Sequence, residues 1–154
     1  MREKDLPARQ LLDLVVRVIE VARPRGIKVL VNERADVALA AGADGVHLPS
    51  NAIAPIELRR LGIRLIGVSC HDQAELASAV SGGADFAVLG PVFAPKSKEA
   101  LQAPLGLKEF GRIASTHPGF PVLALGGVTD QEAPACEAAG ASGIAGISLF
   151  ICEC

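Results

Sequence analysis

The amino-acid sequence predicts an α/β fold of the (β/α)8 TIM-barrel type, reduced to about six strands. Three observations lead there: two interleaved series of glycine-led apolar runs, Ala- and Leu-rich amphipathic stretches between them, and runs continuous enough for a parallel sheet covered by helices. In the first series a glycine opens a β-rich run at Gly26–Val31, Gly62–Val68 and Gly119–Leu125. In the second a Gly-Ala pair leads into Gly42–Leu48, Gly83–Leu89 and Gly140–Ile147. The glycines lie 36 and 57 residues apart in the first series and 41 and 57 in the second. The two series march together, so the repeating unit is strand-helix-strand-helix.

Taken in order, Met1 to Leu6 reads as the tail of a strand and Pro7 to about Arg23 as the first helix. The three double units follow. Asp72-Gln73-Ala74-Glu75 and Thr129-Asp130-Gln131-Glu132 are helix start signals, and the Gly-Ala pairs sit where a helix-ending glycine belongs. The longer repeat owes most of its extra length to a loop over residues 90–104, and long loops of this kind usually carry function. A closed barrel needs four double units and about 200 residues or more, so three double units correspond to the third through eighth strands. The first strand and helix, most of the second strand and the last helix are then missing. A doubly wound open sheet is the alternative, and it accounts less well for the two-strand period.

The 154 residues suit one domain, residues 1–154, with half of them apolar and 21% charged, which excludes a disordered chain. A formal charge of -2 and five Phe with neither Trp nor Tyr argue against nucleic-acid binding. The charged N-terminus lacks an apolar leader and no apolar run is long enough for a membrane span, so a cytoplasmic protein with no membrane partner is expected. Cys70, Cys136, Cys152 and Cys154 lack zinc-site spacing and read as free thiols.

A family resemblance runs from residue 2 to residue 148. It is carried by Arg2-Glu3-Lys4, Val31-Asn32-Glu33-Arg34-Ala35-Asp36, Gly42-Ala43-Asp44-Gly45-Val46-His47-Leu48, Gly67-Val68-Ser69-Cys70-His71, Gly83-Ala84-Asp85-Phe86, Gly90-Pro91-Val92-Phe93, Ser97-Lys98, Pro104-Leu105-Gly106, Gly126-Gly127-Val128-Thr129 and Gly146-Ile147-Ser148. In order and spacing the chain resembles the thiamine phosphate synthase superfamily, whose synthases and TenI-type thiazole tautomerases share most of these motifs. Synthases of that family join a pyrimidine pyrophosphate to a thiazole phosphate with Mg²⁺. By the resemblance, Lys4 and the pair Ser97 and Lys98 fall where the pyrophosphate is contacted. Its magnesium ligands fall on Glu33 and Ala52, and a methyl group cannot ligate Mg²⁺.

The resemblance therefore points first to a TenI-like thiazole tautomerase that needs no cofactor or protein-held metal, with His71 of the Ser-x-His motif as acid and base. An imidazole with an unperturbed pKa near 6.5 suits both roles. Synthase chemistry with an altered Mg²⁺ site is the alternative, and a non-catalytic barrel fragment binding a phosphorylated ligand is the third reading.

Other side chains follow from position. Asn32 and Ser69 end strands as neutral donors and acceptors suited to a polar heterocycle. His47 lies inside a strand, where a satisfied core histidine is the first expectation and substrate contact the second. His117, in a helix-to-strand connection, is given no role. Gly126 and Gly127 after one strand, with Gly146, Ile147 and Ser148 after the next, form a rim where backbone N–H groups and a hydroxyl meet a phosphate. The expected partner is a phosphorylated thiazole-type small molecule. Unpaired strand edges at Val29–Val31 and Ile144–Ile147 lead us to expect a homo-oligomer.

Overall fold

The computed structural model describes residues 1–94 and 103–146. The first helix, α1 (Ala8–Ala22), buries Leu11, Val15, Ile19 and Ala22, a stripe at the spacing of one helical face. A 3-10 turn at Arg23–Arg25 follows, then β1 (Leu30–Asn32), α2 (Ala35–Ala41), β2 (Gly45–Leu48), α3 (Pro55–Arg60), β3 (Leu65–Cys70) and α4 (Gln73–Ser81). The rest is β4 (Phe86–Leu89), α5 (Gly106–Ala114), β5 (Val122–Leu125), α6 (Ala133–Ala138) and β6 (Gly143–Ala145). No helix among the described residues is long and apolar enough to cross a membrane.

The six strands form one parallel sheet in the order β1-β2-β3-β4-β5-β6. Every strand lies beside its predecessor, so the sheet is wound in one direction. A doubly wound sheet reverses its strand order at a switch point, and that alternative is excluded. All six strands overlap the runs the glycine periodicity marked, β1 and β3 running one and two residues past their ends. Helices α2, α4 and α6 end at the second glycine series as expected; Gly42, for example, closes α2 at φ 66°, a left-handed conformation that an L side chain resists.

The expectation of strands buried on both faces holds for one face only. Val31, Val46, Leu48, Ile66, Val68, Cys70, Ala87, Leu89, Val122 and Ala124 face the helices and are buried, packing with Leu76, Phe110, Ile113 and Cys136. Of the alternate residues Asn32, His47, Ser69, Phe86, Leu123 and Leu125 are half-buried, while Gly67 and Val88 are buried. The resulting alternation is that of a sheet with one covered face, and it places the polar strand residues on the open side.

A side chain at the head of each even-numbered strand reaches back to the strand before it. Asp44 Oδ2 accepts the Val29 N–H at 2.9 Å while its own N–H donates to the Val29 carbonyl at 2.9 Å. Asp85 does the same with Ile66, at 2.7 Å and 2.8 Å. Ser142 repeats it on Val122, its hydroxyl accepting at 3.4 Å and its N–H donating at 2.8 Å. Lys28 and Arg59 bridge to the two aspartates at 2.9 Å and 2.6 Å. The two-strand period of the sequence is thus a series of pinned β-α-β units.

One sequence expectation shifts. Thr129–Glu132 does not open a helix at once: Glu132 Oε2 accepts the Thr129 N–H at 2.8 Å and the Thr129 hydroxyl, forming a turn, and α6 begins at Ala133 with a proline in its first turn. At the other end of the sheet Met1 lies along β1. Its α-ammonium donates to the Leu30 carbonyl at 2.7 Å and its carbonyl accepts the Asn32 N–H at 2.9 Å, the bonds one residue of a parallel strand makes.

The pins predict a stability effect. Asp85→Ala leaves the Ile66 N–H without its acceptor and should lower stability by about 1–3 kcal/mol, a fall in Tm of about 2–10 °C by calorimetry. Asp44 is held below the usual carboxylate range, first by the Lys28 ammonium and then by the Val29 N–H. Its folded pKa lies under its unfolded one, so its contribution is full above about pH 4 and is lost as pH falls through the folded value. The acid loss of stability should be shallower in Asp44→Asn; identical acid profiles would remove the pin.

Candidate functional site

The C-terminal ends of the strands gather the candidate residues. Asn32 of β1 is in register with His47 of β2, and His47 with Gly67 of β3, so these positions share the open face. His47 Nε2 lies 2.8 Å from Ser69 Oγ, also on that face. Gly67 makes this possible: a Cβ there would sit 2.2 Å from Phe86 Cζ and 2.8 Å from His47 Nδ1. Two rings occupy the vacated space, His47 and Phe86 with centroids 6.1 Å apart. Burial lowers the His47 pKa, helped by the N-terminal ammonium, so at pH 7 it is a neutral imidazole. The expected satisfied histidine is what the structure holds, and it stands on the open face rather than in the helix-packed core.

At the tip of β1 Glu33 adopts φ 59°, the single left-handed non-glycine among the described residues. Its N–H donates to the His47 carbonyl at 3.0 Å, and its carboxylate accepts the Asn32 side-chain amide at 2.9 Å. Such a conformation in a non-glycine costs about 1–3 kcal/mol and is concentrated at functional sites. Beyond β2, Ala52 lines a cavity of about 360 Å³ with Pro49, Ile53 and Glu75.

His71 follows β3 directly. Its Nδ1 lies 2.9 Å from Glu75 Oε2, which also accepts the His71 backbone N–H at 2.7 Å. The side chain is 41% exposed, and Nε2 has no partner among the described residues. Cys70 is no rival for acid–base work, because burial and the nearby Glu75 and Asp72 carboxylates push its thiol up to about 12.

The loop after β4 explains the glycine pair. Val92 N–H donates to the Leu125 carbonyl at 2.7 Å and Phe93 N–H to the Gly126 carbonyl at 2.9 Å, laying the loop across the end of β5. A Cβ at Gly126 would meet Pro91 Cα at 2.6 Å, and one at Gly127 would meet the Ala94 carbonyl at 2.7 Å; both residues have positive φ. Close loop packing therefore demands these glycines independently of any anion. Gly146 follows β6 at the neighbouring strand end.

The sequence candidates thus divide. Asn32, His47 and Ser69 come together, His71 stands at the end of the same strand as Ser69, and Gly126, Gly127 and Gly146 border two adjacent strand ends. Lys4 is exposed and joins none of them. Ser97, Lys98, Ile147 and Ser148 lie outside the described residues. Glu75 was legible in the sequence only as a helix-start glutamate; its spacing of four from His71 is the signal of the contact. Phe86 and Gly67 carried no signal short of the strand register.

The Mg²⁺ site that the family resemblance implies does not fit the residues present. Ala52 supplies no donor, the Glu33 carboxylate already holds the Asn32 amide, and no group of three His, Cys, Asp or Glu among the described residues is arranged to hold a metal ion.

Comparison of the sequence with known proteins points to one family. A family model described as "Thiamine monophosphate synthase" matches residues 1–150. The putative thiamine-phosphate synthase of Geobacter sulfurreducens is 44% identical over 155 residues, covering 99% of this chain and 72% of the relative. The thiamine-phosphate synthase of Chloroflexus aurantiacus is 38% identical, covering 97% of this chain and 69% of the relative. Among solved structures, the thiamine phosphate pyrophosphorylase from Pyrococcus furiosus superposes with a TM-score of 0.82 at 28% identity, over 96% of this chain and 70% of that one.

Gly126→Ala should cost about 1–3 kcal/mol, since it adds both a strained φ and a contact with backbone at Pro91. A denaturant titration with unchanged midpoint would mean that the loop does not rest on Gly126. Gly127 is no cleaner a probe of anion binding, because any side chain there displaces the same loop.

Proposed function

The chain belongs to the thiamine monophosphate synthase family, enzymes of thiamine biosynthesis, and on that premise we propose that it joins a pyrimidine pyrophosphate to a thiazole phosphate. In that reaction the bond between the pyrimidine's carbon and pyrophosphate oxygen breaks, its electron pair leaving with pyrophosphate, as the bond to the thiazole forms. The observation that carries the reading is the line Asn32–His47–Ser69 on the open face, neutral hydrogen-bonding groups toward the same end of the sheet as the glycine-bordered rim. These groups orient a polar heterocycle. The Gly127 and Val128 N–H groups donate to nothing among the described residues and are suited to a phosphate. By the family resemblance Lys4 and Lys98 would supply the cations for the pyrophosphate; Lys4 is exposed and stands apart from this line, and Lys98 lies outside the described residues.

A second reading, thiazole isomerisation by a TenI-type tautomerase, is favoured by two observations: Ala52 in place of a carboxylate, and a His71 imidazole backed by Glu75. Proton transfer within one ring needs an imidazole and no metal.

The order of the strands, with Met1 bonded as a strand residue beside β1, supports reading the sheet as strands three to eight of a (β/α)8 barrel. The half-buried open face and the single neighbour of β6 among the described residues support an oligomer, for which light scattering at micromolar concentration should give a mass above the 15.9 kDa of one chain. A sharp monomer mass would reject it.

Three assays separate the readings. Coupling of the two substrates should be detectable and should rise in Ala52→Asp at low Mg²⁺, where a carboxylate enters the cavity beside Glu75. Isomerisation that survives chelation and is abolished in His71→Asn, with no coupling at any Mg²⁺ concentration, would replace the first reading with the second. Inorganic phosphate should shift the Gly127 and Val128 amide resonances; unmoved resonances at saturating phosphate would remove the anion rim.

A further inference from the structure

We propose that Glu75 is the positioning residue of His71: its carboxylate holds the imidazole in the Nδ1–H tautomer and leaves Nε2 as the nitrogen that takes and returns a proton. The role of His71 as proton carrier rests on the isomerisation reading, whereas the tautomer rests on geometry alone.

An ionised carboxylate only accepts hydrogen bonds, so the neutral imidazole facing Glu75 Oε2 across 2.9 Å carries its proton on Nδ1. The same oxygen accepts the His71 backbone N–H at 2.7 Å, tying ring and backbone to one atom. The Glu75 backbone N–H separately donates at 2.8 Å to Asp72, the N-cap of α4, leaving its side chain free for His71. In the usual capping box the glutamate at this position returns to the N-cap N–H. Here it reaches one residue further, to His71, and engages the ring as well. Capping alone would need the backbone bond and not the ring bond. The imidazole is left with Nε2 open on a side chain 41% exposed. In an isomerisation the proton that Nε2 removes from one ring atom of the substrate returns to another, so composition is unchanged and no co-reactant is needed. A carboxylate behind an imidazole fixes the productive tautomer and stabilises the imidazolium that forms.

The test is made on the full chain with ¹⁵N-labelled histidine, the His71 signals assigned from His71→Asn. In wild type His71 should show a protonated Nδ1 and a pyridine-like Nε2. In Glu75→Gln the amide both donates and accepts, so the signals should move to a mixture of tautomers. Asp72→Ala, which removes the cap but not the ring contact, should keep the wild-type pattern. On a thiazole carboxylate phosphate, Glu75→Gln should lower kcat by about 10–100-fold with KM within about twofold. A wild-type Nε2–H tautomer, an unchanged spectrum in Glu75→Gln, or a change confined to KM would overturn the positioning role. The expected spectra in a wild-type protein without isomerase activity would instead overturn the isomerisation reading and leave control of the tautomer by Glu75 standing.

Discussion

The structure depends on the polar residue that heads each even-numbered strand. Asp44, Asp85 and Ser142 each exchange two hydrogen bonds with the head of the preceding strand, the same pair of bonds in all three units. Register in a half-covered sheet tolerates no slip, because a shift of one residue turns every side chain to the opposite face. Pinned at Val29, Ile66 and Val122, the strands present Val46, Ile66 and Ala124 to the helices and His47, Ser69 and Leu125 to the open side. The site at the far strand ends therefore inherits its alignment from bonds made at the near ends.

Given that alignment, the polar line across β1, β2 and β3 needs space, and Gly67 provides it. With hydrogen in place of a side chain, the His47 and Phe86 rings occupy the same patch of the open face and His47 reaches Ser69. The cost of holding polar groups there is met by mutual hydrogen bonding: no buried side-chain nitrogen or oxygen among the described residues lacks a partner. Glu33 is the exception in backbone rather than in bonding, being left-handed while its carboxylate and N–H are both engaged.

Much of this was legible in the sequence, and the remainder was hidden for identifiable reasons. Glycine-led apolar runs reveal strands and their order because helix ends and parallel strands impose local composition. The pinning role of Asp44 and Asp85 is not local: their acceptor bonds go to residues 15 and 19 positions earlier. Gly126 and Gly127 were readable as an anion approach, but the atoms they clear belong to Pro91–Ala94, brought there by the loop. Asp72-Gln73-Ala74-Glu75 was readable as a helix start, and Asp72 is the cap; nothing in the motif says that the glutamate passes over the cap to the histidine before it. Ser69 and Asn32 were placed correctly from strand-end position alone, since register needs only the period of two.

The two chemistries open to this family place opposite demands on the same end of the sheet. Expelling pyrophosphate requires positive charge close to its oxygens as the bond breaks. The described open face offers neutral Asn32, a His47 kept neutral by burial, neutral Ser69 and the anionic Glu33. The positive charge that the coupling reading needs is not found among these four groups. Shifting a proton within one ring calls instead for an imidazole with a carboxylate behind it, the arrangement proposed above for His71 with Glu75. Position 52 decides how far each demand is met. A carboxylate there would stand in the cavity that Glu75 also lines, whereas the methyl group of Ala52 leaves Glu75 bonded to His71.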